Sequence, residues 1–122
     1  MTMRIRKLSD CPEFIAGDGC FLREIANGAT GPRAFRYSLA HAVVRRGQKT
    51  APHSLKTSET YYILSGEGIM HIDGESAEVG PGCFIDIPPM AVQWIENSGT
   101  MDLVFMCIVD PGWRKEDEVV LE

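Results

Sequence analysis

Three imidazoles and four thiols are the side chains of this 122-residue sequence best suited to chemistry near neutral pH. The thiols come first because they are the easier to place. Cys11, Cys20, Cys83 and Cys107 are spaced 9, 63 and 24 residues apart, with no C-x-x-C pair. That spacing fits neither a zinc knuckle nor a redox motif. Cys107 sits inside an apolar run and reads as a small buried hydrophobe. Ser65 lies in Ser65-Gly66-Glu67-Gly68, which is a turn and not a nucleophile elbow. The same Gly-x-Gly lacks the strand-turn-helix context of a phosphate loop.

Two of the three histidines are placed by strand periodicity. Asp73-Gly74 favours a type I′ hairpin, since both residues tolerate positive φ. A two-residue turn there pairs His71 with Ser76 and Met70 with Ala77. Met70, Ile72, Ala77 and Val79 then share the apolar face, and His71 points the other way, to solvent or a subunit contact. His41 shares a face with Phe35, Tyr37, Leu39 and Val43, the pattern of a packed, hydrogen-bonded histidine at an interface.

The elements that must position such groups are strands. Twelve Gly and seven Pro cut the chain into short segments rich in β-branched and aromatic residues. Candidate strands are Gly19–Ile25, Ala34–Arg46, Glu59–Ser65, Gly68–Ile72, Ser76–Val79, Cys83–Ile87, Ala91–Glu96 and Asp102–Val109. Helical periodicity is absent, and the tail Trp113–Glu122 reads as a single helical turn or an extended end. The charge run Arg114-Lys115-Glu116-Asp117-Glu118 reads as a solvated face. Eight short strands on this length predict an all-β sandwich or small barrel. The size scaling allows about two-thirds of the chain's surface to be buried, enough for one core and one domain over residues 1–122.

Two segments carry a family resemblance. The first runs from Gly47 through His53, Leu55 and Glu59 to Gly66, and the second from Gly82 through Pro88, Met90 and Gln93 to Asn97. Their spacing resembles the two signature motifs of the cupin family: Gly, five residues, His-x-His, three or four residues, Glu, six residues, Gly; then Gly, five residues, Pro-x-Gly, two residues, His, three residues, Asn. The resemblance implies a double-stranded β-helix, or jelly-roll barrel, over about residues 35–109. An N-terminal strand segment (1–34) and a C-terminal tail (110–122) flank it.

The departures bear on chemistry. A cupin of this pattern holds a divalent metal with three His and one Glu, but Leu55 and Gln93 stand at two of the histidine positions, and Met90 replaces the motif-two glycine. The resemblance therefore implies a reduced metal set of His53, Glu59 and Gln93. Imidazole, carboxylate and amide oxygen suit Zn²⁺, Mn²⁺, Fe²⁺ or Ni²⁺, and three ligands leave open positions for a substrate. In that reading Glu59 doubles as a catalytic proton acceptor, and the chemistry on offer is that of a dioxygenase, lyase or isomerase. The alternative is that His53 and Glu59 line a polar, metal-free pocket, and the protein binds a sugar, phenolic or acidic metabolite without catalysis. A subunit with a vestigial cavity is a third reading. Tyr61, Met70, Phe105 and Cys107 are the expected pocket walls. Strand alternation puts Glu59, Tyr61 and Ile63 on one face, and Leu103, Phe105, Cys107 and Val109 on one face.

Composition narrows the partners. Twelve Lys and Arg against seventeen Asp and Glu give a net charge of −5, which argues against a nucleic-acid partner. No apolar run approaches the ~18 residues of a membrane span. The charged start Met1–Lys7 lacks the apolar stretch of a signal peptide, so a cytoplasmic protein is expected. An outward-facing Trp94 and the apolar segment Cys20–Ile25 suggest a homodimer that hides both through one sheet.

Overall fold

The computed structural model describes residues 3–28 and 35–121. Its strands are β1 (Glu13–Ile15), β2 (Phe21–Asn27), β3 (Ser38–Val44), β4 (His53–Leu55), β5 (Ser58–Ser65), β6 (Gly68–Ile72), β7 (Glu75–Val79), β8 (Phe84–Ile87), β9 (Gln93–Asn97), β10 (Leu103–Asp110) and β11 (Glu118–Val120). They form two antiparallel sheets, one in the order β1-β2-β3-β10-β5-β8 and the other β11-β4-β9-β6-β7. The expected all-β jelly roll is the fold observed.

Eight of these strands match the expected ones to within a few residues. Ala34, the expected start of the second, lies outside the described residues. The three others were not expected: β1, β4 and β11 are three residues each, too short to show alternation. Their contribution is to the ends of the barrel. β1 extends the six-stranded sheet through β2, and β11 pairs with β4 at the edge of the five-stranded sheet. The tail is thus part of the barrel rather than a solvated end. Asp117 is buried and pairs with Arg114 through both carboxylate oxygens.

Period-2 patterning sets which side chains enter the barrel. Along β5, Glu59, Tyr61 and Ile63 are buried while Tyr62 and Leu64 are exposed. Along β10, Leu103, Phe105 and Val109 face inward beside Ile63 and Tyr61. Met70 and Ile95 answer them from the five-stranded sheet, so both sheets share one core. A one-residue slip of β5 would carry Glu59 and the core aromatics outward together.

The motif residues mostly shape the backbone. Asp73 and Gly74 have φ of 47° and 85°, the I′ hairpin expected, and β6 and β7 pair His71 with Ser76. At Gly66 φ is 84°, and a Cβ there would lie 2.4 Å from the Asp102 carbonyl oxygen. Only glycine fits that crossing. Asn97 is buried; its amide nitrogen donates to the carbonyls of Val44 and Met101, and its Oδ1 accepts the Gly99 amide. These three bonds tie β9 to β3 and to the turn before β10.

Trp94 and the Cys20–Ile25 segment lie on different sheets, β9 and β2, so one sheet-to-sheet dimer cannot hide both. Instead Trp94 is covered within its own sheet. The His71 ring stacks on it at 3.6 Å between centroids and 4° between planes, and Lys49 lies over its ring. His71 itself is held by Glu96 Oε1 at 2.9 Å and Ser76 Oγ at 2.7 Å, which fixes it on the outer surface, away from the barrel interior.

Candidate functional site

A cavity of about 100 Å³ opens between the sheets near the β1 end of the barrel. β5 delivers Glu59 and Tyr61 to its floor, β10 delivers Phe105 and Cys107, and β4 delivers His53. Gln93 sits directly across from His53 in the β4–β9 pair and is fully buried behind these residues.

Glu59 is the hub. Its Oε1 accepts the Gln93 amide nitrogen at 2.5 Å, and its Oε2 accepts the Cys107 thiol at 2.7 Å. The Gln93 carbonyl oxygen in turn accepts the Tyr61 hydroxyl at 2.9 Å. Four side chains from three strands thereby form one hydrogen-bonded chain, Tyr61 to Gln93 to Glu59 to Cys107. Burial pushes the Glu59 carboxyl up from its ordinary value, although the bonds from Cys107 and Gln93 and the nearby His53 oppose the rise. Burial likewise raises the Cys107 thiol and the Tyr61 phenol, with the Glu59 carboxylate adding to both. Neither is activated as a nucleophile.

His53 is almost fully buried, and its Nδ1 donates to the Ala51 carbonyl at 2.7 Å. The ring's other nitrogen is Nε2. That nitrogen lies 3.7 Å from Asp18 Oδ2. Asp18 belongs to the turn between β1 and β2. Its other oxygen accepts the Cys20 amide, and its carbonyl accepts the Ala51 amide at 2.7 Å, which fastens this turn to the strand that bears His53.

The expected ligand set is therefore brought together only in part. Glu59 and Gln93 touch, but through the amide nitrogen, which cannot coordinate a cation. His53 presents Nε2 to Asp18 at 3.7 Å, away from Gln93. Leu55 is buried in the core and has no donor atom. Among the described residues no three His, Cys, Asp and Glu side chains group as a metal site. Of the expected walls, Tyr61, Phe105 and Cys107 line the cavity; Met70 does not, being packed into the core from β6. His41 lies on the outer face of the six-stranded sheet, away from the cavity, where burial and Arg23 lower its pKa.

Several wall residues were not anticipated: Phe14, Asp18, Glu24, Trp113 and Glu118. All come from the segments flanking the motif region; Glu24 alone lies in an expected strand, on one face with Cys20 and Leu22. Trp113 Nε1 donates to Glu118 Oε2 at 3.3 Å, and Glu24 Oε2 accepts the Asn27 amide at 3.0 Å.

Comparison with known proteins agrees with this architecture. The family model described as "Cupin domain" matches residues 40–109. An uncharacterized protein of Methanocaldococcus jannaschii is 38% identical over 125 residues, covering 100% of this chain and 99% of that protein. An oxalate-binding protein of Thermotoga maritima is 40% identical over 53 residues, 42% of each chain. Among solved structures, the oxalate decarboxylase of Lactobacillus farciminis in its formate complex superposes with a TM-score of 0.79, with 18% identity over 93% of this chain and 34% of that one. At that identity the likeness is one of fold.

Proposed function

The chain belongs to the cupin family, and on that premise we propose that it binds a small molecule in the barrel cavity, with the site organised by hydrogen bonds around Glu59 in place of a divalent ion. One observation carries the reading. Both Glu59 oxygens already accept hydrogen bonds, from Gln93 and from Cys107, and the Gln93 oxygen that would ligate an ion accepts Tyr61 instead. A buried carboxylate needs such partners when no cation neutralises it. The donor set thus does not fit the metal expected from His53, Glu59 and Gln93. With both of its oxygens taken up by these hydrogen bonds, the proton-acceptor role expected for Glu59 is not part of the proposal. The oxalate-binding relative supports a small-molecule ligand as a class.

Elemental analysis of protein purified without a nickel column tests this reading. Substoichiometric metal in the wild type, unchanged in His53→Ala and Glu59→Ala, is the expected result. Stoichiometric metal that both substitutions remove while the fold persists would overturn it in favour of the metal-dependent enzyme.

We also propose that the protein is a homodimer packed through the outer face of the six-stranded sheet. Tyr62, Leu64, Phe84 and Ile108 are exposed there, with Phe84 67% accessible. His41 Nδ1 is buried on the same face without a hydrogen-bond partner. Large apolar side chains clustered and exposed on one sheet face mark an interaction surface. No described helix is long and apolar enough to cross a membrane.

A further inference from the structure

The outer face of the five-stranded sheet carries a second group of chemically capable side chains. Glu96 on β9, His71 on β6 and Ser76 on β7 lie on three adjacent strands, the last of them the edge of the sheet. Ser76 Oγ is 2.7 Å from His71 Nδ1, and His71 Nε2 is 2.9 Å from Glu96 Oε1. A hydroxyl, an imidazole and a carboxylate joined in that order are the arrangement that activates a serine as a nucleophile. Strand register builds it: His71 stands opposite Ser76 on one side and Trp94 on the other, and Glu96 is the diagonal neighbour two residues along from Trp94.

The donors and acceptors fit that role. An ionised carboxylate only accepts, so Glu96 holds a proton on His71 Nε2 and aims the ring. Nδ1 meets a hydroxyl, which can donate or accept. A neutral ring accepts from Ser76, and a protonated ring donates to it, so the contact holds in both states of a proton shuttle. Trp94 stacks on the imidazole with 3.6 Å between centroids and 4° between planes, and its face favours the cation formed when the ring takes a proton. Ser76 is exposed, so a substrate reaches it from solvent. The open edge adds a donor. Ile72 and Glu75 flank the two-residue turn as its hydrogen-bonded pair, so the next pair, His71 and Ser76, is a non-hydrogen-bonded one. The Ser76 amide therefore points away from β6, off the sheet edge, where it can meet an oxyanion formed at its own side chain.

From this geometry we propose that the protein slowly hydrolyses small carboxylic esters on this face, with Ser76 as nucleophile, His71 as proton carrier, and Glu96 and Trp94 as positioning residues. None of the four lines the cavity, so the activity stands apart from ligand binding there. Ser76 Oγ attacks the ester carbonyl carbon and passes its proton to His71 Nδ1 while the carbonyl π pair moves onto oxygen. That pair returns as the bond to the alcohol oxygen breaks, and the alcohol leaves with the proton from Nδ1. Water then attacks the acyl-serine in the same way, giving its proton to Nδ1. The carboxylic acid is released as Ser76 recovers that proton, so one ester and one water yield one acid and one alcohol. An exposed serine binds little of a substrate beyond its reacting carbonyl, which selects a short acyl chain and keeps the rate low.

The full chain with p-nitrophenyl acetate tests this, read by nitrophenol release and by peptide mass spectrometry. Release is expected to run about 10²–10⁴-fold faster than without protein, with acetyl found on Ser76. An ethyl fluorophosphonate probe, which loses fluoride to a reactive serine, is expected to label the same residue. Ser76→Ala, at an exposed position, should abolish both signals with circular dichroism unchanged, and His71→Ala should do the same. Glu96→Gln is expected to lower kcat at least about tenfold with KM unchanged, and Glu96→Asp to recover part of it, a split that a purely structural role for Glu96 would not produce. Adducts on lysines or on other serines with none on Ser76 would overturn the proposal. So would release that Ser76→Ala leaves unchanged, or Ser76 labelling that neither His71→Ala nor Glu96→Gln slows.

Discussion

Gln93 donates its amide nitrogen to Glu59 Oε1 at 2.5 Å while its carbonyl oxygen accepts the Tyr61 hydroxyl. One amide thus satisfies an acceptor and a donor that are both buried, as only a side chain with both functions can. Gln93→Leu keeps the bulk and strips both partners. The expected loss of stability is about 2–4 kcal/mol, the cost of leaving two buried polar groups unpaired. Urea denaturation of the two proteins measures it, and a loss below about 0.5 kcal/mol would mean that water or a ligand satisfies these groups instead.

Glu59 gives the protein a pH dependence of known sign. Burial raises its folded-state pKa above the ordinary value near 4.5. The folded protein therefore keeps a proton that the unfolded chain has released. The stability this group contributes is full below about pH 4.5 and is lost as pH rises through the raised value. Glu59→Gln mimics the protonated acid and removes that loss. The variant is expected to be the more stable protein at pH 8, by about 1.4 kcal/mol for each unit by which burial raises the group. Thermal melts from pH 4 to pH 8 should show the difference between the two proteins shrinking on acidification; a difference that grows on acidification contradicts the raised pKa.

Much of this was legible in the sequence wherever a local rule governs. The alternation in Glu59–Ser65 told which side chains enter the barrel, and Asp73-Gly74 told the hairpin and its register, because both depend on neighbours one or two residues away. The motif spacing located His53, Glu59 and Gln93. What spacing does not carry is side-chain orientation: Gln93 is where a ligand was expected, yet its nitrogen, not its oxygen, meets Glu59. Asp18, Trp113 and Glu118 were illegible for a different reason. They reach the cavity through contacts between the two ends of the chain, β1–β2 and β11, and three-residue strands have no periodicity to read. Met70 shows the limit of face assignment, since facing inward placed it in the core rather than on the cavity wall.

The outer face of the six-stranded sheet yields a test of assembly. Tyr62 on β5 pairs in register with Phe84 on β8, and both side chains are exposed. A stable dimer needs about 800 Å² buried on each partner, and these are the large apolar side chains available to supply it. Tyr62→Glu with Phe84→Glu places two carboxylates across that pair. Light scattering during size exclusion is expected to show a dimer for the wild type and a monomer for the double variant, both folded by circular dichroism. A wild-type monomer at micromolar concentration, or a double variant that still dimerises, would move the interface elsewhere or remove it.

The remaining prediction concerns two motif positions that carry no histidine. Leu55 lies in the same short strand as His53, and Gln93 lies directly across from His53 in the neighbouring strand. Both are buried, and both stand where the cupin motifs carry histidine. If these two side chains are what separates the hydrogen-bonded site from a metal site, Leu55→His with Gln93→His should create one. With Glu59 released from the Gln93 amide, three imidazoles and one carboxylate would be available for a Zn²⁺ or Mn²⁺ ion. The double variant is expected to bind roughly one ion per chain and to melt at higher temperature with the ion than after chelation, whereas the wild type shows neither effect. Adding His53→Ala to the double variant should abolish both. A folded double variant that takes up no metal would show that the barrel, and not only these two residues, has drifted from a metal-binding geometry.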